Sequence, residues 1–441
     1  MSATASLSFG QAATASAQLD RVFESYAGPA FSIRFWDGSS WMSDDTNTTF
    51  GICLRTESAW RALCESPDDV SLGEKYIHGE IEVEGDLYLA LRALPLLESA
   101  ITKAIPAPIQ RFRHRSALLT NHMRRLANWG KVHSLQRDAA SIAHHYDKPP
   151  EFFRLFLGSS MVYSCAYFQS WSKTLDEAQA EKMELICRKL DLRRDERFLD
   201  VGCGWGSLVL HAATQYGVIS RGISLSEKQV NHAARRISEQ QPPPQCEVGL
   251  MDFRDLAWQK ARFHKIASVG MCEHVGLKHI GEYFQHAYTM LFPRGLFLNH
   301  GITRRAGANR PEPSFMDRYI FPDGELLTVS EMVNAAENAG FEVRDVEDLR
   351  EHYEETLHRW VSALNENESE AIQLTDAPTV RTWRLYMSGC AEAFRRGDIA
   401  IHQLLLSKND HGLSSATKVR ERWYRNGQKS GPRGVKEIGG Q

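Results

Sequence analysis

The segment that most restricts the fold is "ERFLDVGCGWGSLVLHAATQYG", Glu196 to Gly217. An apolar run enters a turn with glycine at 202, 204 and 206, and apolar residues at helical spacing follow up to a closing glycine. A strand that passes into a helix through alternate glycines lets a ligand approach the backbone and leaves the helix's first amides free to receive it. The alternation then repeats. "VISRGISLS" reads as a strand, and "SEKQVNHAARRISEQ" as a helix stopped by Pro242, Pro243 and Pro244. "CEVGLMD", "FHKIASVGM" and "GLFLNHGIT" supply further strands, with "HIGEYFQHAYTML" as a helix between the last two. Strands alternating with helices predict an α/β fold with a doubly wound sheet and a ligand site at the strands' carboxyl ends. The dinucleotide turn G-x-G-x-x-G needs glycine at 207, where this chain has Ser207, which disfavours NAD.

At 441 residues the chain is too long for one compact core. Residues 20–100 mix alternating segments ("AFSIRFWDG", "GEIEVEGDL") with one helical pattern ("TESAWRALCES") and read as a small α+β domain. Between Glu98 and Asp138 there is no acidic residue, while Lys103, Arg111, Arg113, Arg115, Arg124, Arg125, Lys131 and Arg137 fall there. Such a stretch suits an anionic surface, lipid headgroups or nucleic acid, with a solvated linker helix as the plain alternative. A net charge of -3 and the lack of any nucleic-acid motif count against nucleic acid. The expected organisation is a leader over 1–19, an N-terminal domain over 20–125, a basic helical linker over 126–142, a catalytic domain over 143–425 and a tail over 426–441.

The eight cysteines show neither metal spacing nor a disulfide framework, so no metal site is expected and the thiols read as free in a reducing compartment. No Lys or Arg precedes Arg21, which disfavours a signal peptide. The longest apolar run, "LYLALRALPLL", is interrupted by Arg92 and Pro95 and falls short of the ~20 residues a spanning helix needs.

The tight G-x-G-x-G turn after Asp200 is similar to the first motif of class I methyltransferases that use S-adenosylmethionine. The second strand of such folds normally ends in an acidic residue for the ribose, and here "GISLSEKQ" offers Ser224, Ser226 and Gln229. Together with "HYDKPPEFF", "MVYSCAYF", "SVGMCEHVG", "HGI", "YIFPDGEL" and "YEETLHRW", these stretches resemble the cyclopropane-fatty-acyl-phospholipid synthases, including the mycolic acid cyclopropane synthases. The resemblance spans roughly residues 140–425; "SLGEKYIHGEIEVEGDL" resembles the lipid-binding N-terminal domain of the longer, phospholipid-acting members.

The resemblance implies methyl transfer to the cis double bond of an unsaturated acyl chain, followed by loss of a proton and ring closure. A poor nucleophile and a water-sensitive cation demand a dry site with aromatic faces, for which Tyr163, Tyr167, Phe168, Tyr319, Phe321 and Tyr353 are candidates. Each ring taken singly reads more readily as core. The implied base is a bound bicarbonate surrounded by Cys165, Glu273, His300, Ile302 and Tyr353, with Cys165 and Ile302 giving backbone amides. Cys165 is then no nucleophile, since it lacks an activating base and an acyl electrophile. For the cofactor the resemblance implies Tyr163 and Ser164 at the methionine part and Asp200, Gly202 and Gly204 at the turn. Ser224 and Gln229 fall at the ribose and Asp252 and Phe253 at the adenine. Leu327 stands where these enzymes often have proline, and Arg254 where some carry an acidic or neutral residue. The expected partners are unsaturated phospholipids at the membrane surface and a second copy of the chain, without nucleic acid. The expected location is cytoplasmic, on the inner face of the cell membrane. A methyl-branched or methylene product, and a non-catalytic lipid-binding relative, are the alternatives.

Overall fold

The computed structural model describes residues 19–24, 26–44, 48–65, 69–104, 148–307, 315–320, 324–416 and 420–424. Residues 1–18 of the leader, residues 105–125 of the expected N-terminal domain with Arg111, Arg113 and Arg115, the expected linker, Phe321 and the tail lie outside the described residues.

The N-terminal domain is a four-stranded sheet in the order β2-β1-β3-β4, formed by β1 (Phe31–Arg34), β2 (Ser40–Met42), β3 (Phe50–Leu54) and β4 (Ile81–Gly85). Against it pack α1 (Glu57–Glu65), α2 (Asp69–Ile77) and α3 (Leu87–Ala104), around a core that includes Phe31, Trp41, Trp60 and Leu97. The sequence pattern revealed only the first of these helices. In α2, Gly73 is poor helix material, yet the helix is held because the missing Cβ leaves room for Phe315, whose ring would lie 2.6 Å from an added methyl. In α3, Pro95 sits inside the helix.

The second unit is a seven-stranded sheet in the order β10-β11-β9-β8-β5-β6-β7. Its strands are β5 (Arg197–Val201), β6 (Ile219–Ser224), β7 (Cys246–Leu250), β8 (Phe263–Val269), β9 (Leu291–Arg304), β10 (Glu342–Asp348) and β11 (Ile399–Ser407). β5 to β9 pair in parallel and β11 runs antiparallel to both neighbours. Because parallel strands are covered on both faces, β5 and β8 are buried almost throughout. α5 (Leu175–Lys189), α6 (Ser207–Tyr216) and α7 (Glu227–Ser238) belong to the first half. α8 (Phe253–Trp258), α9 (Ile280–Met290), α10 (Phe315–Tyr319) and α11 (Val329–Asn338) belong to the second. Thr174 and Glu177 close a capping box on α5, and Thr328 and Glu331 another on α11, which satisfies amides that each helix start leaves open.

A helical layer closes the carboxyl end of the sheet: α4 (Pro150–Leu157), α12 (Arg350–Glu366), α13 (Glu368–Leu374) and α14 (Ala377–Arg396), with α15 (Glu421–Tyr424) following β11. α4 contributes Phe152, Phe153 and Phe156 to a core shared with Trp360 and Trp383. The N-terminal domain docks on this layer. Arg381 of α14 donates to the carbonyls of Tyr76 (2.6 Å) and Ile81 (2.9 Å) and lies 4.5 Å over the Tyr76 ring. Arg92 of α3 meets the buried Glu392 at 3.0 Å.

Candidate active site

Gly202, Gly204 and Gly206 hold φ of +76°, +51° and +82°, a left-handed region that L side chains occupy only at a cost. Gly206 also lies where a Cβ would stand 2.7 Å from that of Ala233, whereas around Gly204 nothing comes within 4 Å. One glycine is required by packing and the other opens onto space. That space is a cavity at the carboxyl ends of β5, β6 and β8, and it is lined by all nine residues expected at the cofactor: Tyr163, Ser164, Asp200, Gly202, Gly204, Ser224, Gln229, Asp252 and Phe253.

Local structure explains their arrangement. Gln179 of α5 donates to the carbonyls of Val162 (3.3 Å) and Ser164 (2.9 Å), and Lys182, one turn on, donates to Ser164 Oγ at 2.9 Å. The Tyr163–Ser164 segment is thereby pinned along the helix. At the end of β6, Ser224 donates to Gln229 Oε1 at 2.9 Å and accepts from the amide of Ser226, which caps α7. Asp252 caps α8, and Arg254 clamps its carboxylate through Nε (2.8 Å) and Nη2 (2.6 Å) while lying over the Phe253 ring. Asp200 ends in a carboxylate whose Oδ1 has no partner. A left-handed glycine cradle open on one side, together with an unpaired buried carboxylate oxygen, fits the amino-acid and nucleoside parts of S-adenosylmethionine.

The five residues expected around an anion fall outside the lining of this cavity and beside it. Cys165 follows Ser164 directly into an aromatic core with Tyr353 and Ile302. Its thiol donates to the carbonyl of Ala166 (3.1 Å), and burial holds it well above the ordinary thiol range, so it stays protonated. Glu273 sits in a short turn after β8; burial raises its pKa, with the Ile302 amide opposing. Tyr353, raised well above the usual phenol range by burial, has both Cys165 and Glu273 in electrostatic reach. His300 is fully buried and held well below its ordinary value by burial and by Lys182, Lys189 and His402. Gln403 Nε2 lies 3.3 Å from His300 Nδ1. As an amide donor it leaves the imidazole N–H on Nε2, a buried donor that meets no acceptor.

One expected role changes. The Ile302 amide donates to Glu273 Oε1 at 2.7 Å, so in this structure it orients the carboxylate in place of facing an anion directly. His300 thus keeps a buried N–H of the kind an oxyanion takes, and Glu273 and Cys165 both lie in electrostatic reach of Tyr353.

Of the expected rings, Tyr163 and Tyr353 flank Trp360 at centroid distances of 5.2 and 6.1 Å. Tyr167 stands at the edge of this core, stacked on His352 at 4.9 Å. Phe168 turns away toward Trp171 and Ala178. Tyr319 bonds through its hydroxyl to Glu74 of α2 at 2.9 Å. Trp360, Trp383 and Tyr386 went unassigned in the sequence, although Tyr386 meets the Tyr163 hydroxyl at 3.0 Å and Trp383 lies 5.9 Å from its ring. Lys182 was missed too. The cavity wall from α9, with His279, Glu282, Tyr283 and His286, follows i, i+3, i+4, i+7 spacing that the sequence displays.

Residues 133–404 match the family described as mycolic acid cyclopropane synthetase, and residues 18–102 match a domain of unknown function. A probable fatty acid methyltransferase of Pseudomonas putida is 36% identical over 85% of this chain and 91% of its own length. A second protein of that description, from Mycobacterium tuberculosis, is 33% identical over 92% of this chain and 98% of its own. Among solved structures, the cyclopropane synthase MmaA2 from Mycobacterium tuberculosis aligns with a TM-score of 0.59 at 33% identity, covering 61% of this chain and 98% of that one. The mycolic acid cyclopropane synthase CmaA1 complexed with SAH and CTAB aligns at 0.58, also at 33% identity, over 61% of this chain and 98% of that one. With a glycine cradle on a seven-stranded sheet and this likeness across the whole catalytic unit, the chain belongs to the mycolic acid cyclopropane synthetase family of S-adenosylmethionine-dependent methyltransferases.

Proposed function

We propose that this protein methylates the cis double bond of unsaturated acyl chains in membrane phospholipids and closes a cyclopropane ring with bicarbonate as the base. The observation that supports it best is the continuity of Tyr163, Ser164 and Cys165. The first two line the cofactor cavity and the third enters the aromatic core that holds Tyr353 and Trp360, so cofactor and acyl chain would meet across three residues. When bound, S-adenosylmethionine supplies an electrophilic methyl and bicarbonate a proton acceptor. Tyr163, Tyr353 and Trp360 surround the acyl carbons with π faces, worth about 2 kcal/mol or more for a desolvated cation. Their burial keeps water out. Glu273, oriented by Ile302, would take one proton of the base in hydrogen bond, while His300 Nε2 and the Tyr353 hydroxyl would donate to its oxygens. Cys165 stays a protonated spectator, because a thiolate there would compete for the methyl.

No helix among the described residues is long and apolar enough to cross a membrane. An acyl double bond reaches the cavity only if the enzyme works at the bilayer surface. The basic stretch before α4 and the N-terminal domain are the proposed contacts, each Lys or Arg adding about 1 kcal/mol near an anionic surface.

A second reading, transfer of the methyl to give a methylene chain, or a methyl-branched one once a separate hydride donor reduces it, is favoured by the description of two relatives as probable fatty acid methyltransferases. Purified protein incubated with labelled S-adenosylmethionine and unsaturated phospholipid vesicles, with and without bicarbonate, separates the two. Both cyclopropane and methylene products gain one CH2, but only the methylene product is cleaved by ozone. Label that stays out of the lipid would exclude both.

A further inference from the structure

Ile302 accounts for one oxygen of Glu273, and the other is met by the residue just before it. Cys272 Sγ lies 3.5 Å from Glu273 Oε2, within the turn that follows β8. The thiol is itself approached by Asn299 of β9, whose Nδ2 donates to the sulfur at 3.7 Å, while Asn299 Oδ1 accepts from the Tyr283 hydroxyl of α9 at 2.7 Å. The four side chains form one buried chain that runs from the cofactor cavity, which Tyr283 lines, to the carboxylate.

Ordinary packing does not call for such a chain. Asn299 is fully buried in a strand where Leu296, Phe297 and Leu298 precede it, and a buried amide is costly unless its polar atoms are bonded. Its nitrogen meets two sulfurs, Cys272 Sγ and Met332 Sδ, each at 3.7 Å. Sulfur accepts weakly, so leucine would fill this core at less cost. Gly301 fits the same picture: its φ lies outside the left-handed region, and a methyl there would overlap Cys272 Sγ. The space between β9 and the turn is therefore shaped to admit the thiol. Because the sulfur accepts from Asn299, its own hydrogen is left for Glu273.

We propose that Cys272 and Asn299 are positioning residues: Asn299 aims the thiol, and the thiol fixes Glu273 Oε2 as the Ile302 amide fixes Oε1. This rests on Glu273 as the group that takes the proton of the base. A weak donor suits that duty, since it stops the carboxylate from turning and leaves it more basic than a hydroxyl would.

The arrangement sets the direction of a pH effect. A donor favours the ionised form of the carboxylate it meets, so its loss lets burial push Glu273 higher still, and the acid limb of turnover moves to higher pH. The titratable groups facing Glu273 are Cys272 from its own turn, Tyr283 from α9 and Tyr353 from α12, and burial raises all three well above their ordinary values. They stay neutral throughout. On β9, His300 is held well below its ordinary value; His274 of the same turn lines the cofactor cavity, and the Glu325 carboxylate takes the Leu277 amide at 2.9 Å.

The test uses the full chain and follows label transfer from S-adenosylmethionine to unsaturated phospholipid vesicles across pH. Cys272→Ala should lower kcat at neutral pH about 3- to 10-fold and carry the acid limb up by about half a unit or more, the effect of one weak hydrogen bond to a charged group. KM for S-adenosylmethionine should stay within about twofold, because Cys272 does not line the cofactor cavity. Asn299→Leu should move the limb in the same direction. Cys272→Ser keeps a donor and should recover most of the rate. A limb that stays in place in Cys272→Ala, or a serine variant as slow as the alanine one, would overturn the proposal. Should these variants fail to fold, infrared spectra of wild type and Glu273→Gln decide. A thiol bonded to a titrating carboxylate has an S–H stretching band that moves with pH, so wild type should show such a band and Glu273→Gln should not. A band that moves in both proteins, or in neither, would overturn the proposal. Wild-type protein that puts no label into lipid would overturn the functional reading instead, and the infrared pair would still report where the thiol points.

Discussion

Ile302 directs its backbone amide at Glu273 Oε1, 2.7 Å away, and so ties the end of β9 to the turn that follows β8. This bond fixes the carboxylate within electrostatic reach of Tyr353 without neutralising it. Burial therefore leaves Glu273 with a raised pKa.

Glu273→Gln keeps the shape and removes the charge. Turnover on unsaturated phospholipid should fall about 10²- to 10⁴-fold, the range for a lost acid–base group, with S-adenosylhomocysteine affinity within about threefold because Glu273 does not line the cofactor cavity. Stability should move the other way. As the pH rises, an unfolded Glu273 ionises before the folded one, so the native state loses stability between the two pKa values and stays penalised above the folded one. The variant should thus melt higher than wild type at neutral pH. A variant that melts lower at neutral pH would refute this account.

The glycine turn separates binding from folding. Gly204→Ala places a methyl in open space at φ +51°, costing about 1 kcal/mol of stability but intruding on the cofactor, so affinity should drop about tenfold or more. Gly206→Ala drives a methyl onto Ala233 at φ +82° and should cost about 2–3 kcal/mol. Thermal melts with and without S-adenosylhomocysteine distinguish the two, and a reversed ranking would contradict the cavity's position.

Tyr163 has a ring and a hydroxyl with separable duties. Tyr163→Phe loses the bond to Tyr386 and should cost about 1 kcal/mol of stability while methyl transfer stays within a few fold. Tyr163→Leu removes the π face and should slow single-turnover methyl transfer about 30-fold. Equal rates for the two variants would deny the ring any part in the chemistry.

Lys189 is fully buried between Asp345, at 3.2 Å, and Glu347, and lies 5.7 Å from the Trp423 ring of α15. Lys189→Ala leaves two carboxylates without their buried counter-ion and should cost about 3–5 kcal/mol in denaturant unfolding. A loss under 1 kcal/mol would mean that Arg420, which also reaches Asp345, holds the site alone.

What was legible in the sequence was local. The glycine turn and its flanking strands sit in one short stretch whose spacing sets its geometry, and the nine cavity residues sit in short motifs through which the family resemblance assigned them. Lys182 escaped notice because a lysine in an amphipathic helix reads as solvated; only the packing of α5 against the Tyr163–Cys165 segment turns it inward. Trp383 and Tyr386 of α14 escaped for a similar reason, being brought to Tyr163 across more than 200 residues by a helical layer that no periodicity announces. α2 reads poorly as a helix because Gly73 serves a neighbour, Phe315, far along the chain.

That last contact begins a mechanical line. Asp69 and Glu74 of α2 hold the Phe315 amide and the Tyr319 hydroxyl at 2.9 Å each, and in the segment leading into α11 the Glu325 amide reaches the carbonyl of Glu273 at 3.2 Å. The amino-terminal module thus grips residues 315 and 319 from outside, and Glu325, further along the same connection, abuts the peptide of Glu273, the proposed catalytic carboxylate. Cutting the first hundred residues away would remove more than a docking platform: it would slacken the scaffold on which the reaction centre is strung.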